Sequence, residues 1–161
     1  MTIQTGDFIP AVRIKYLTEG GLDEVSTEDL FTQGTSVLFG IPGCYTPVCS
    51  TEHVPSYLRN LDDLKAKGVD RVVCLGVNDP FVMREWLKSL HAEAIQALPD
   101  GNGVLTKAMG LEMDGSAYGL GTRTQRFAAI IRDGRIAHLA IEKPGVYDIS
   151  SGEAILKALS T

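Results

Sequence analysis

Apolar and polar positions alternate from Ala11 to Leu17, the two-residue period of a strand with one wet face, and the Gly20-Gly21 pair then breaks the pattern as a turn. Ser26-Thr27-Glu28-Asp29 reads as a cap followed by a short helix. Ser36 to Ile41 is a short, continuously apolar run, which predicts a strand that stops at the Pro42-Gly43 turn. From Pro47 to about Lys67, Val54, Tyr57, Leu58, Leu61 and Leu64 recur at helical spacing. Pro55 lies inside that stretch and predicts a bend in one continuous helix.

Arg71 to Val77 is apolar enough for a strand covered on both faces, and Asn78 or Asp79 is placed to cap a helix over PFVMREWLKSLHAE. A break at Leu98-Pro99-Asp100-Gly101 precedes a short helix around Lys107 to Met109 and a loop containing Gly115, Gly119 and Gly121. Arg126 to Arg132 and Arg135 to Glu142 flank Asp133-Gly134, a strong short-range hairpin signal, and a helix over Gly152 to Leu159 closes the chain. Parallel strands first and a hairpin last predict an α/β fold, a mixed central sheet flanked by helices on both faces.

Composition narrows what such a fold would serve. The 161 residues fit a single domain, 1–161, large enough for a hydrophobic core without disulfide or metal staples. A net charge of −5 without a basic run argues against nucleic-acid or anionic-membrane partners and for a small substrate. The start, MTIQTGDFIPAV, lacks the basic and apolar regions of a signal peptide, and no stretch has the length of a membrane span, so a cytoplasmic location is expected. Three cysteines are too few and odd in number for a secreted disulfide framework. Neither they nor the separated His53, His91 and His138 show ligand spacing, so no metal or other cofactor is expected.

The segment GIPGCYTPVCSTEHVPSY, Gly40 to Tyr57, carries the chemistry. Thr46 is a favourable N-cap and Pro47 suits the first helical position, which puts Cys49 third in the first turn. Unpaired N–H groups and the positive end of the helix dipole favour a thiolate there, the ionised form that acts as nucleophile. A buried core cysteine is the plainer reading.

Pro42, Thr46 and Cys49 form a P-x-x-x-T-x-x-C pattern that resembles the signature of the peroxiredoxins. With GVNDPFVMREW and RFAAIIRDGRI in matching order and spacing, the chain resembles the type II, or five-type, subfamily over nearly its whole length. The resemblance implies a thioredoxin-like fold and a thiol peroxidase for hydrogen peroxide and alkyl hydroperoxides. It makes Cys49 the peroxidatic nucleophile, which becomes a sulfenic acid. Thr46 would present its hydroxyl to thiolate and peroxide as well as capping the helix. Arg126 would hold the sulfur ionised and stabilise charge across the breaking O–O bond, with Arg123 as a rival three positions earlier. Pro42 would shield the thiolate, and N–H groups from Gly43 to Cys49 would bind peroxide oxygens. His53, at i, i+4 from Cys49, invites a base role, although a structural role suits it better.

The chain departs from the pattern in its resolving thiol. The late segment IEKPGVYDISSGEAIL contains no cysteine, so the long-range disulfide of some members cannot form. Cys74, twenty-five positions after Cys49, has a spacing resembling a second group, yet a strand centre favours core packing. Cys44 stands where the family more often has a small apolar residue, and C-x-x-C is absent. The expectation is a one-cysteine cycle completed by glutathione with glutaredoxin, or by thioredoxin. Residues of the active loop and Pro80 to Trp86 suggest a homodimer face, with core packing a nearly equal explanation for Trp86. Rivals are a thiol–disulfide oxidoreductase, which the missing C-x-x-C disfavours, and a non-enzymatic redox switch.

Overall fold

The computed structural model describes residues 1–160. Strands β1 (Arg13–Thr18) and β2 (Gly21–Ser26) form an antiparallel hairpin. Its turn falls at the Gly pair, where Gly21 has φ +113°. Helix α1 (Thr27–Phe31) follows, then strand β3 (Thr35–Ile41). The predicted helix over 47–67 is a correction: it is broken into a helical entry at 47–48, a π-helical turn (Cys49–His53), α2 (Val54–Arg59) and α3 (Leu61–Ala66). Pro55 has no N–H to donate and its ring crowds the carbonyl four residues back. The chain accommodates it by widening the preceding turn, so that the Val54 N–H reaches the Cys49 carbonyl, five residues back. The second break, at Asn60, is closed by its own side chain, whose amide donates to the Ser56 carbonyl at 2.8 Å.

Strand β4 (Val69–Gly76) leads to helix α4 (Pro80–Ser89), capped by Asp79 through the Val82 N–H. A short strand β5 (Gln96–Pro99) ends at the expected break, and helix α5 (Val104–Ala108) starts earlier than predicted because the Asp100 carboxylate accepts from the Leu105 and Thr106 N–H groups. The glycine-rich loop contains a further hairpin, β6 (Glu112–Asp114) with β7 (Thr122–Thr124). Strands β8 (Phe127–Arg132) and β9 (Arg135–Ile141) turn at Asp133 and Gly134, both at positive φ, and α6 (Gly152–Leu159) ends the fold.

The main sheet has the order β5-β4-β3-β8-β9, parallel among β3, β4 and β5 and antiparallel for β8 and β9. This is the mixed sheet predicted, with helices on both faces. Strand alternation divides the core. Val37, Phe39, Ile41, Cys74, Ala128 and Ile130 pack with residues of α2, α3, α4 and α6, whereas Leu38, Val73, Leu75, Ala129 and Ile131 pack with α1, α5 and the N-terminal segment. The contact of α6 with α2 needs a glycine: a side-chain carbon on Gly152 would lie 2.4 Å from the Ser56 carbonyl oxygen. Strand β3 thus delivers the loop after Ile41 to the carboxyl edge of the parallel strands, where α/β sheets gather ligands.

Candidate active site

The loop from Pro42 to Thr46 is pinned from several sides. The Cys44 N–H donates to Asn78 Oδ1 at 2.9 Å, and Arg123 donates to the carbonyls of Pro42 (3.3 Å) and Leu120 (2.9 Å). Arg123 fits because residue 43 is glycine, since a side-chain carbon there would sit 2.6 Å from its Nη1. Tyr45 holds a left-handed backbone at φ 65°, a conformation that costs a non-glycine residue free energy and sharply reverses the chain. Thr46 takes a different part from the expected side-chain cap. Its hydroxyl donates to the Gly43 carbonyl at 2.6 Å, and the Ser50 N–H pairs with the Thr46 backbone carbonyl. The donated proton leaves the oxygen lone pairs of Thr46 available as acceptors.

Cys49 opens the π-helical turn and is fully buried. Arg126, immediately before β8, reaches it from the sheet: strand alternation puts 126 on the face of Ala128 and Ile130, the face against which Cys49 packs. Its Nη2 donates to Cys49 Sγ at 3.2 Å and its Nη1 to His53 Nδ1 at 2.8 Å. Arg123 occupies the loop instead, so the two arginines divide the site between them.

His53 is fixed by what surrounds it. A guanidinium only donates, so Nδ1 must accept, and Nε2 carries the hydrogen that it donates to the Ser150 carbonyl at 2.9 Å. Burial and the Arg126 charge push its pKa down to about 3, against a smaller upward pull from the Ser150 carbonyl. Both ring nitrogens are occupied, so the ring serves as a spacer and not a base. The Ser150 carbonyl also accepts from Tyr57 Oη at 2.7 Å. The Ser150 N–H and hydroxyl both donate to Glu142 Oε2, at 2.9 and 2.8 Å, which the Asp148 N–H joins at 2.6 Å. Burial raises the Glu142 carboxyl, but these donors and the Ile149 N–H hold it below its ordinary range. The ring of Tyr147 lies over this chain, 5.3 Å from the His53 ring and 5.9 Å from the Arg126 guanidinium.

Sequence reading missed Glu142, Ser150 and Tyr147, and the one signal present, the Ser150-Ser151 pair before α6, announces a helix start rather than a site. Trp86 lies in the core, its Nε1 donating to Ser50 Oγ at 2.9 Å beside Cys49. Cys74 is fully buried in β4, paired in register with Phe39 of β3. Its thiol is pushed up by burial and then by Cys44 and Cys49 nearby, while Cys44 is pushed up to about 12 by burial and Cys49. All three cysteines are free.

A thiol buried against a guanidinium at the start of a helix, on a thioredoxin-like sheet, is the arrangement that cysteine redox chemistry requires. The sequence profile named Redoxin matches residues 4–156, and the chain belongs to that family. Within it, the chain is similar to Peroxiredoxin-2C of Oryza sativa subsp. japonica, 43% identical over 159 residues, which are 98% of each chain. It is also similar to the chloroplastic Peroxiredoxin-2E-2 of the same plant, 42% identical over 98% of this chain and 73% of that one. The crystal structure of reduced Prx3 of Vibrio vulnificus in complex with H2O2 superposes with a TM-score of 0.95 at 42% identity, over 98% of this chain and 99% of that one. These likenesses place the chain among the type II peroxiredoxins, which are thiol-dependent peroxidases.

Proposed function

We propose that Cys49 is the peroxidatic cysteine of a one-cysteine cycle acting on hydrogen peroxide and alkyl hydroperoxides. The observation that carries this is the 3.2 Å contact between Arg126 Nη2 and Cys49 Sγ at the foot of a pinned loop. The thiolate attacks the terminal peroxide oxygen, an S–O bond forms as the O–O bond breaks, and the leaving oxygen takes a proton to depart as water or alcohol. Arg126 sits where negative charge spreads over sulfur and oxygens, and needs no reorganisation to meet it. The Thr46 oxygen, its proton committed to Gly43, accepts the peroxide O–H, and Pro42 and Gly43 wall the loop around the bound oxygens. Peroxide bound to a similar fold in the Vibrio protein supports this assignment of substrate.

Glutathione with glutaredoxin, or thioredoxin, completes the cycle in this reading. Support comes from Cys74, whose burial in a central strand suits packing better than disulfide formation. We assign the cytoplasm as the compartment because three cysteines, an odd number in a mid-sized domain, do not suit a secreted disulfide framework. Among the described residues no helix is long and apolar enough to cross a membrane. A homodimer would bury Tyr45, Phe81 and Val82, which are exposed beside the loop. Peroxide consumption over many turnovers with an external thiol separates this enzyme from a redox switch, which would stop after one oxidation per chain.

A further inference from the structure

Three side chains fix the two peptide groups on either side of the buried Gly43. The carbonyl of the Pro42–Gly43 peptide accepts Arg123 Nη1 at 3.3 Å. The N–H of the Gly43–Cys44 peptide donates to Asn78 Oδ1 at 2.9 Å. The carbonyl of that second peptide accepts the Thr46 hydroxyl at 2.6 Å and the Thr46 N–H at 3.4 Å. A peptide group is planar, so holding one of its polar atoms directs the other, and only the two torsions of Gly43 join the two planes. Arg123 on one side and Asn78 on the other therefore set where the Gly43 carbonyl points. Tyr45, two residues on, is held at φ 65°, and such backbone persists only where its surroundings over-determine it. Arg123 comes from β7, opposite Met113 in the small hairpin, with its Nε anchored on the Leu120 carbonyl at 2.9 Å. Its donors go to carbonyls, whereas the contact with Cys49 Sγ belongs to Arg126.

Resting on the peroxidase reading above, we propose that Arg123 is a positioning residue for the peroxide step, acting through the Pro42 and Gly43 peptides on the hydroxyl of Thr46. The proton of that hydroxyl points at the Gly43 carbonyl, so its lone pairs point away from it, toward the peroxide O–H that they accept. A Gly43 carbonyl free to turn would carry proton and lone pairs with it. Arg123 thus serves the bound peroxide and Arg126 the sulfur. The first acts by geometry, the second by charge, and removing either leaves the other's task intact.

Loop and sulfur are tested separately. Arg123→Met keeps the stem and removes the donors, while Arg123→Lys keeps the charge on a point donor that cannot span two carbonyls. In amide NMR of the reduced protein the Gly43, Cys44 and Thr46 resonances should shift in both variants; unmoved resonances overturn the clamp, whatever the protein does with peroxide. In stopped flow, with Trp86 beside Cys49 as reporter, both variants should oxidise about tenfold more slowly. The pH profile of iodoacetamide alkylation at Cys49 should stay that of wild type. An unchanged peroxide rate, full recovery in the Lys variant, or a displaced alkylation profile overturns the proposal. The route through Thr46 is read by a double-variant cycle: added to Thr46→Val, Arg123→Met should slow oxidation by less than about twofold further, and losses that multiply overturn the proposal. The Lys variant carries the same cycle if the Met variant does not fold. Failure of wild type to oxidise at Cys49 instead refutes the peroxidase reading, with the amide shifts still deciding the clamp.

Discussion

Arg126 and His53 share a hydrogen bond of 2.8 Å that fixes both of them: the arginine can only donate, so the imidazole is held neutral with its one hydrogen directed at Ser150. A carboxylate in place of His53 would neutralise the guanidinium. A neutral ring orients it while leaving its full charge for the sulfur 3.2 Å away. Behind the ring, Ser150 and the Glu142 carboxylate secure the acceptor, so a chain of four residues from three distant segments sets the position of one cation.

Replacing Arg126 by Gln should lower kcat/KM for peroxide by about 10²- to 10³-fold, the usual cost of removing one preorganised donor at developing charge. Iodoacetamide should alkylate Cys49 more slowly at neutral pH in this variant. Lys at 126 should recover little, because a point charge cannot bridge sulfur and imidazole together. Stopped-flow oxidation and alkylation rates read both effects, and unchanged rates in the Gln variant would remove Arg126 from the mechanism.

Acid should destabilise the protein through His53. Its pKa falls from 6.5 to about 3 on folding, so between those values the unfolded chain binds the extra proton and stability rises with pH. The slope is at most about 1.4 kcal/mol per pH unit. Glu142, held below its ordinary range in the fold, adds loss in the same direction at the lower end of the window. His53→Gln keeps one donor and one acceptor without titrating. Urea unfolding from pH 4 to 7 should show a shallower slope in that variant, with peroxide oxidation kept within about tenfold of wild type.

Thr46 separates hydroxyl chemistry from shape. Thr46→Ser keeps the donor to Gly43 and the free lone pairs, and should retain most peroxide activity. Thr46→Val keeps the shape but leaves the Gly43 carbonyl only the longer bond from the residue 46 backbone N–H, at 3.4 Å, and should lose activity by about tenfold or more and destabilise the loop by about 1 kcal/mol. Parallel measurement of peroxide rate and melting temperature checks both.

Gly152→Ala should destabilise the fold by about 1–3 kcal/mol, because the added carbon meets the Ser56 backbone and α6 must move away from α2. Since α2 continues from the turn carrying Cys49, peroxide oxidation should slow as well. Calorimetry and stopped flow on the same sample test the two together.

The parts of the site close to one another in sequence were legible. Thr46, Pro47 and Cys49 announce a helix start, and Asp133-Gly134 announces the hairpin that carries Arg126 to the same face of the sheet. The choice of Arg126 over Arg123 came from a resemblance of blocks, and period-two alternation gives it a physical basis. The π-helical turn was not legible, because Pro55 is compatible with either a bend or a widened turn. Strands β5, β6 and β7 are three or four residues long, too short for a period to show. The Glu142–Ser150–His53 chain joins residues up to 97 positions apart, a separation that no local pattern reports.

The most direct test of Cys49 as the sole essential thiol is steady-state peroxide consumption with glutathione and glutaredoxin, comparing wild type, Cys49→Ser and the double variant Cys44→Ala, Cys74→Ala. The account predicts loss of turnover in Cys49→Ser and turnover near wild type in the double variant. Turnover surviving in Cys49→Ser, or vanishing in the double variant while the protein remains folded, would contradict it.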